Sequence, residues 1–240
     1  VSREVLLEAA WGYGVPVDKL SAAMEKRPPL WERLIGKRTP YFTYVRAALC
    51  DQALEGRLVY HGYLGHLVMP GVSHVLRVRA IADLDYRIQA AMHHQGLSRK
   101  EAVAHIERVD KERRQWTRSV YDVEWDDPAL FDVVLNLSRI SVVTACETVV
   151  RLTASAEFQP TDASMKALRD LALGNRVAAT LARDQRTQGA TLEVTTDDGV
   201  VTVTGTTQSS AFLEAVRAVA REVDGVKDVR SEVRLLREGK

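Results

Sequence analysis

The stretch HVLRVRAIADLDYR, residues 74–87, decides how the first half of the chain folds. Apolar and basic side chains alternate along its first part, and this period of two predicts a strand over residues 74–82. The alternation places Arg77 and Arg79 on one face of that strand. Asp83 follows at once and is a good N-cap for a helix. A strand that runs directly into a helix is the repeating piece of a parallel α/β sheet.

Outward from this piece, helices and strands alternate through residues 1–154. Two more strands are predicted, at 57–62 after Gly56 and at 131–137. Helices are predicted over residues 41–55, 84–94, 98–121 (opened by the capping-box pair Ser98 and Glu101) and 140–153. Three prolines make residues 26–40 an irregular loop or a short helix. In the last helix Val142, Val143, Cys146, Val149 and Val150 are expected to face inward. The pattern predicts a doubly wound parallel sheet. Three strands are few for such a sheet, and one further strand upstream would complete it.

The composition changes after Ala154, and the second half reads as a separate α+β module. A polar linker at 155–160 leads into a helix over 161–184, which we expect to be interrupted near Gly174. Strand, Asp-Gly turn and strand follow between residues 190 and 205, which is a strong hairpin signal. An amphipathic helix at 208–223 and a last strand at 226–235 complete the module. The predicted domains are residues 1–154, a linker and helix at 155–174, and residues 175–240.

The overall composition is that of a globular protein, with 46% hydrophobic and 27% charged residues among 240. The formal net charge of +1 gives no global attraction to nucleic acid, and no face interleaves aromatic and basic residues, so no nucleic-acid partner is expected. Any anion site must be local. No run approaches the roughly 18 apolar residues of a membrane span, and no basic-then-apolar leader is present, which favours the cytoplasm.

Cysteines and histidines do not form a metal-binding pattern. Cys50 and Cys146 lie in apolar helical runs and are predicted to be buried thiols. His61 and His66 are five residues apart, and His93 is adjacent to His94, but neither pair has further ligands at the spacing that a tetrahedral site requires. No metal site is therefore expected from the histidines.

The helix from Ser98 carries the densest charge in the chain. Asp110 and Arg114 are four residues apart, as are Arg114 and Arg118, so these side chains share a face. A row of arginines oriented by an aspartate suits phosphoryl transfer, in which positioned cations stabilise charge on phosphate oxygens. The alternative is a solvated helix with ordinary salt bridges, and the pattern alone leaves both open.

Taken in order, these segments resemble the cytidylate kinase-like family over about residues 1–154. The residues that carry the resemblance are His74–Arg79, Ala82–Ile88, Gly96–Ser98, Glu101–Ala102, Asp110–Arg114, Trp125–Pro128 and Phe131–Asn136. The resemblance implies a P-loop kinase-like parallel sheet with flanking helices. It also implies that ATP and Mg²⁺ serve phosphoryl transfer to a nucleoside monophosphate such as cytidylate.

The resemblance also implies roles for individual residues. Arg87 would open the lid, Arg113 and Arg114 would contact the donor and acceptor phosphates, and Asp110 would orient them or the acceptor. The implied catalytic residues are Arg87, Asp110, Arg113 and Arg114, and the implied substrate-binding residues are Arg46, His61, Gly62 and Arg118. His61 precedes Gly62 where the family often has a Gly-Arg pair, so the acceptor site departs from the pattern.

The largest departure is the lack of a phosphate-binding loop of the form G-x-x-x-x-G-K-[ST]. Gly36 and Lys37 supply the dipeptide, but no glycine lies five residues earlier and Arg38 stands where Ser or Thr is needed. Without this loop there is no backbone cradle for the β-phosphate, so this chain by itself is expected to be inactive. In the family the loop lies upstream of the segment that resembles the start of this chain, so a missing upstream segment is one explanation. A protein that has no such loop is the other.

The second half resembles a BON domain over about residues 175–236. The carrying residues are Val200–Gly205, the helix with Ala215, Val219 and Ala220, and Val223–Val229. This resemblance implies binding of a phospholipid, carbohydrate or protein partner without catalysis, and a purely structural accessory is the alternative. Two functions follow for the whole chain. It is a nucleoside monophosphate kinase-like enzyme, or a degenerate kinase fold that senses a nucleotide or binds a partner through its BON domain.

Overall fold

The computed structural model describes residues 3–25, 40–62, 65–188, 190, 192–207 and 209–236. The chain forms two compact units, one of residues 1–62 with 162–240 and the other of residues 63–161. The predicted loop at 26–40 lies, except for Pro40, outside the described residues. Within the described ranges, no helix is long and apolar enough to cross a bilayer. The sequence division at residue 154 stays a prediction, and the two units are described separately.

The unit of residues 63–161 is built on two parallel strands. Its elements are α4 (Gly65–Val68), β1 (Val78–Ile81), α5 (Leu84–Gln95), α6 (Arg99–Tyr121), β2 (Val133–Asn136) and α7 (Val142–Thr153). Val78 of β1 is paired with Val133 of β2, and the register continues to Ile81 and Asn136. The helices α5 and α6 make the crossover between these strands, as parallel pairing requires. The α/β class and the strands centred on residues 78 and 134 are therefore confirmed.

Local capping fixes where α5 and α6 begin and end. The Asp83 side chain accepts a hydrogen bond from the backbone N–H of Tyr86, and Gly96 ends α5 in the left-handed conformation with φ 67°. Ser98 and Glu101 form the predicted capping box in both directions. These contacts satisfy backbone N–H groups that a helix start leaves unpaired.

Three predictions for apolar segments are wrong. Residues 57–62 do not form a strand, and Val59 is 91% exposed. In α7, Val142, Val143 and Val150 are exposed instead of facing inward, and the helix buries Ala145. Cys146 is an exposed thiol, whereas Cys50 is buried as predicted. The physical reason is that an apolar run shows only that a segment can be buried, and not that another element of the chain covers it.

The other unit combines the N-terminal helices with the C-terminal module. Its elements are α1 (Arg3–Tyr13), α2 (Val17–Glu25), α3 (Pro40–Glu55), α8 (Asp162–Arg183), β3 (Leu192–Asp197), β4 (Val200–Thr207), α9 (Ser210–Arg221) and β5 (Asp228–Leu235). The hairpin turn at Asp198 and Gly199 has positive φ at both residues, as a type I′ turn requires. β4 is antiparallel to β3 and parallel to β5. The predicted α+β module is confirmed.

The helix α8 is shared by both parts of this unit. One side packs on the core of the module, which includes Leu181 and Val203. Another contacts α3, where the buried Asn175 amide donates to the Cys50 sulfur at 3.3 Å. The predicted break near Gly174 is wrong, because α8 is continuous there. A Cβ at Gly174 would lie 3.0 Å from Thr196 Oγ1, so the glycine permits close packing on β3 and does not end the helix.

Candidate functional site

A cavity of about 580 Å³ lies at the carboxyl end of β1, between α5 and α6. Ala80, Ile81 and Ala82 form its floor where the strand ends. This end of a parallel strand is where α/β proteins bind ligands. The polar and aromatic side chains in the wall are Arg79, Tyr86, Arg87, His94, Gln95, His105, Arg113 and Trp125.

Arg87 and Asp110 make a two-point ion pair at this cavity. Arg87 Nη1 donates to Asp110 Oδ2 at 2.8 Å, and Nη2 donates to Oδ1 at 2.7 Å. The Asp110 side chain is 16% exposed and that of Arg87 is 36% exposed. Because Arg87 lies on α5 and Asp110 on α6, the pair fixes the two helices at the cavity and orients the guanidinium group.

Arg79 and Arg113 approach one aromatic ring. The guanidinium carbon of Arg79 lies 4.6 Å from the centre of the Trp125 ring, and that of Arg113 lies 5.7 Å from it. Arg79 Nη1 also donates to the Trp125 carbonyl at 3.3 Å. Burial lowers the pKa of Arg79, while the carboxylates of Asp126 and Asp110 act in the opposite direction.

Arg77, predicted to share a face with Arg79, contacts a backbone carbonyl and a carboxylate instead of the cavity. Its Nη2 donates to the Met69 carbonyl at 2.8 Å, and its Nη1 lies 3.7 Å from Asp132 Oδ2. The same carboxylate accepts the backbone N–H of Arg77 at 2.6 Å. Arg77 therefore fixes the entry to β1, and Arg79 is the strand arginine that reaches the cavity.

The residues implied by the resemblance divide into three groups. Arg87 and Arg113 line the cavity, and Asp110 holds Arg87. Arg114 is exposed on α6 outside the lining, and Arg118 pairs there with Glu124 at 3.1 Å. Arg46, His61 and Gly62 belong to the other compact unit, and Arg46 stacks on the Phe42 ring at 5.9 Å. The roles of all these residues stay predictions.

Sequence reasoning missed Tyr86, His94, His105 and Trp125 as cavity residues. Tyr86, Ala90 and His94 follow each other at steps of four, which places them on one face of α5. That spacing could have indicated a shared surface, but His94 was considered only as a metal ligand. Trp125 lies in the turn after α6, where no periodic pattern exists to predict its position.

His66 of α4 predicts a pH dependence for this unit. Burial, with the nearby charges of Arg79 and Arg77, lowers the pKa of His66 to about 4 from its ordinary value of 6.5. Its ring lies 4.5 Å from that of Phe131. The folded state favours the neutral imidazole, so the stabilisation is complete above pH 6.5 and is lost as the pH falls towards 4.

Replacing His66 by glutamine should therefore flatten the pH dependence of the free energy of unfolding between pH 6.5 and 4. Denaturant titrations of both proteins across this range measure the effect. An unchanged slope in the variant would show that another group is responsible.

Comparison with known proteins identifies the two halves of the sequence. The model of the cytidylate kinase-like family matches residues 1–139, and that of the BON domain matches residues 169–237. A cytidylate kinase from Methanopyrus kandleri is 32% identical over 94 residues, which cover 38% of this chain and 48% of that protein. The chain thus spans about half the length of this curated relative. Since the first match covers more than half of the sequence, the chain belongs to the cytidylate kinase-like family and carries a BON domain in its C-terminal part.

Proposed function

We propose that the cavity between α5 and α6 binds the phosphates of a nucleotide, and that the protein transfers a phosphoryl group from ATP to a nucleoside monophosphate, with CMP as the first acceptor to test. The observation that carries this proposal is the convergence of Arg79, Arg87 and Arg113 on one cavity at the end of β1. Family membership and the match to a cytidylate kinase support the same reaction class.

The charges around the cavity favour an anion. Three arginines line it, and among the described residues no aspartate or glutamate is part of its lining. Asp110 forms an ion pair with Arg87, and Asp126 and Asp110 both act on the charge of Arg79. Guanidinium groups bind phosphate through two parallel N–H donors, a geometry that a planar arginine provides better than lysine. In a chain of net charge +1, any anion site has to be local, and this cavity is the candidate for it.

The size of the cavity and its aromatic residues are also compatible with a nucleotide. A volume of about 580 Å³ falls in the range of small-molecule sites, roughly 300–1,000 Å³. Tyr86 and Trp125 supply aromatic surface against which a base or ribose can pack.

The residues of this cavity do not fit a magnesium site. Its lining contains no carboxylate, and among the described residues no group of three His, Cys, Asp or Glu could hold a metal ion. The sequence also has no G-x-x-x-x-G-K-[ST] loop to cradle the β-phosphate. ATP and Mg²⁺ therefore rest on the family resemblance, and the arginines account only for phosphate binding and orientation.

Calorimetric titration of this chain with CMP, dCMP, UMP and ATP tests the binding step. We expect at least one nucleotide to bind, with an affinity that falls as salt is added because the contact is electrostatic. A transfer assay with ATP and each monophosphate tests the reaction. A chain that binds none of these nucleotides would contradict the proposal.

A second candidate is a catalytically degenerate protein that senses a nucleotide or acts through its BON domain on a phospholipid or protein partner. The missing loop and the departure at His61 and Gly62 favour it. Nucleotide binding without transfer to any monophosphate would select this candidate over the kinase.

A further inference from the structure

We propose that Trp125 is a positioning residue, whose indole ring holds the guanidinium groups of Arg79 and Arg113 together as one receptor for phosphate oxygens. This inference rests on the proposed phosphate binding at the same cavity. The positioning role belongs to an aromatic side chain in a turn, and neither arginine can perform it alone.

The first argument is electrostatic. The guanidinium carbons lie 4.6 Å and 5.7 Å from the same ring centre, and both distances are within the roughly 6 Å at which a cation interacts with an aromatic ring. Two like charges that share a small region repel each other. The negative face of an indole offsets part of that repulsion, beside the carboxylates of Asp126 and Asp110 that act on Arg79, and tryptophan is the best aromatic residue for this interaction. The pair is thus held near the cavity before a ligand binds.

The second argument is that the aromatic face of Trp125, and neither its indole N–H nor its backbone, makes the contribution. The indole Nε1 is buried and has no hydrogen-bond acceptor among the described residues, so no hydrogen bond at this atom explains the tryptophan. The bond from Arg79 ends on the Trp125 carbonyl, which any amino acid would supply. The contribution specific to Trp125 is therefore its aromatic face.

The third argument is that the backbone fixes where the ring lies. Asp122 ends α6 in the left-handed conformation with φ 55°, which turns the chain away from the helix axis. The Asp127 side chain then accepts the backbone N–H of Ala129 and fixes the next turn. The backbone of Trp125 lies between these two turns, and both turns are formed without a ligand.

The experiment compares Trp125→Phe, which keeps an aromatic face, with Trp125→Leu, which removes it. Inorganic pyrophosphate is the probe, and calorimetry on the full chain gives its affinity. We expect Trp125→Leu to bind about tenfold more weakly and Trp125→Phe to stay within about threefold of the unmodified chain. Trp11→Leu is the matched control, because Trp11 is 93% exposed and belongs to the other unit.

A second readout needs no ligand. The Nε–Hε NMR signals of Arg79 and Arg113, assigned through R79K and R113K, should be shifted by the ring current in the unmodified chain and in Trp125→Phe. In Trp125→Leu the shift of Arg113 should disappear, and that of Arg79 should fall to the part that the Phe131 ring, 5.4 Å from its guanidinium carbon, contributes. If that variant does not fold, unshifted signals in the unmodified chain would still overturn the proposal.

The outcomes distinguish this inference from the proposed function. If the unmodified chain binds neither pyrophosphate nor any nucleotide, both fail together. If it binds them and Trp125→Leu binds equally well, only the positioning role fails. It fails also if Trp125→Phe is as weak as Trp125→Leu, since the aromatic face would then be irrelevant.

Discussion

Replacing Arg113 by methionine should weaken CMP binding by about thirtyfold. Arg113 lines the cavity from α6, and methionine keeps most of the side-chain length while removing the charge and the donors. A hydrogen bond to a charged group contributes about 2 kcal/mol, which corresponds to this change in affinity. Calorimetric titration at constant ionic strength measures it, because screening by salt would otherwise change the result.

The matched control for Arg113 is Lys111→Met. Lys111 lies two residues earlier on α6, is exposed and does not line the cavity, and its replacement removes the same unit of charge. We expect it to change CMP affinity less than about twofold, the effect of a screened surface charge. Equal losses in the two variants would mean that the general charge of α6 attracts the nucleotide and that Arg113 has no specific contact.

Replacing Asp110 by alanine should lower the free energy of unfolding of the α5–α6 pair by about 2 kcal/mol. Breaking a fully buried ion pair costs about 3–5 kcal/mol, and the partial exposure of Arg87 reduces that figure. Amide hydrogen exchange along α5 reports this local stability directly. A double-mutant cycle with Arg87→Ala isolates the interaction of the pair from the separate effects of each truncation.

Asp85→Ala is the control for Asp110, since it also breaks an ion pair between α5 and α6. Asp85 accepts from Arg99 at 2.7 Å, but the two side chains are 80% and 59% exposed. A pair this exposed contributes less than about 1 kcal/mol. If Asp85→Ala and Asp110→Ala had equal effects, the two-point geometry at Asp110 would have no special role.

The parts of the fold that the sequence predicted well depend on neighbours along the chain. Asp83 and the Ser98–Glu101 box signal helix starts through contacts three residues away, and both form as expected. Asp198 and Gly199 specify their hairpin turn in the same local way. These signals involve no distant partner, so one sequence is enough to interpret them.

The parts that were missed depend on what packs from elsewhere in the chain. Gly174 was interpreted as a helix break, but its close approach to Thr196 comes from the β3 strand some twenty residues later. Cys146 has the apolar neighbours of a buried residue, yet no described element covers it. The candidate site shows the same division, since Arg87, Asp110 and Arg113 were identified through the family pattern. Trp125 was missed as a cavity residue because its contacts with two arginines arise only in the folded chain.

The sharing of α8 has a consequence for how this protein could be shortened. The family matches suggest a cut between residues 139 and 169, which would separate the kinase-like part from the BON domain. Such a cut would remove the partner of Cys50 and the Arg176–Asp51 ion pair, and it would expose the side of α3 that α8 covers. The helix α3 would therefore lose packing partners in a shortened protein, so that the gene can be divided at this boundary more readily than the folded protein can.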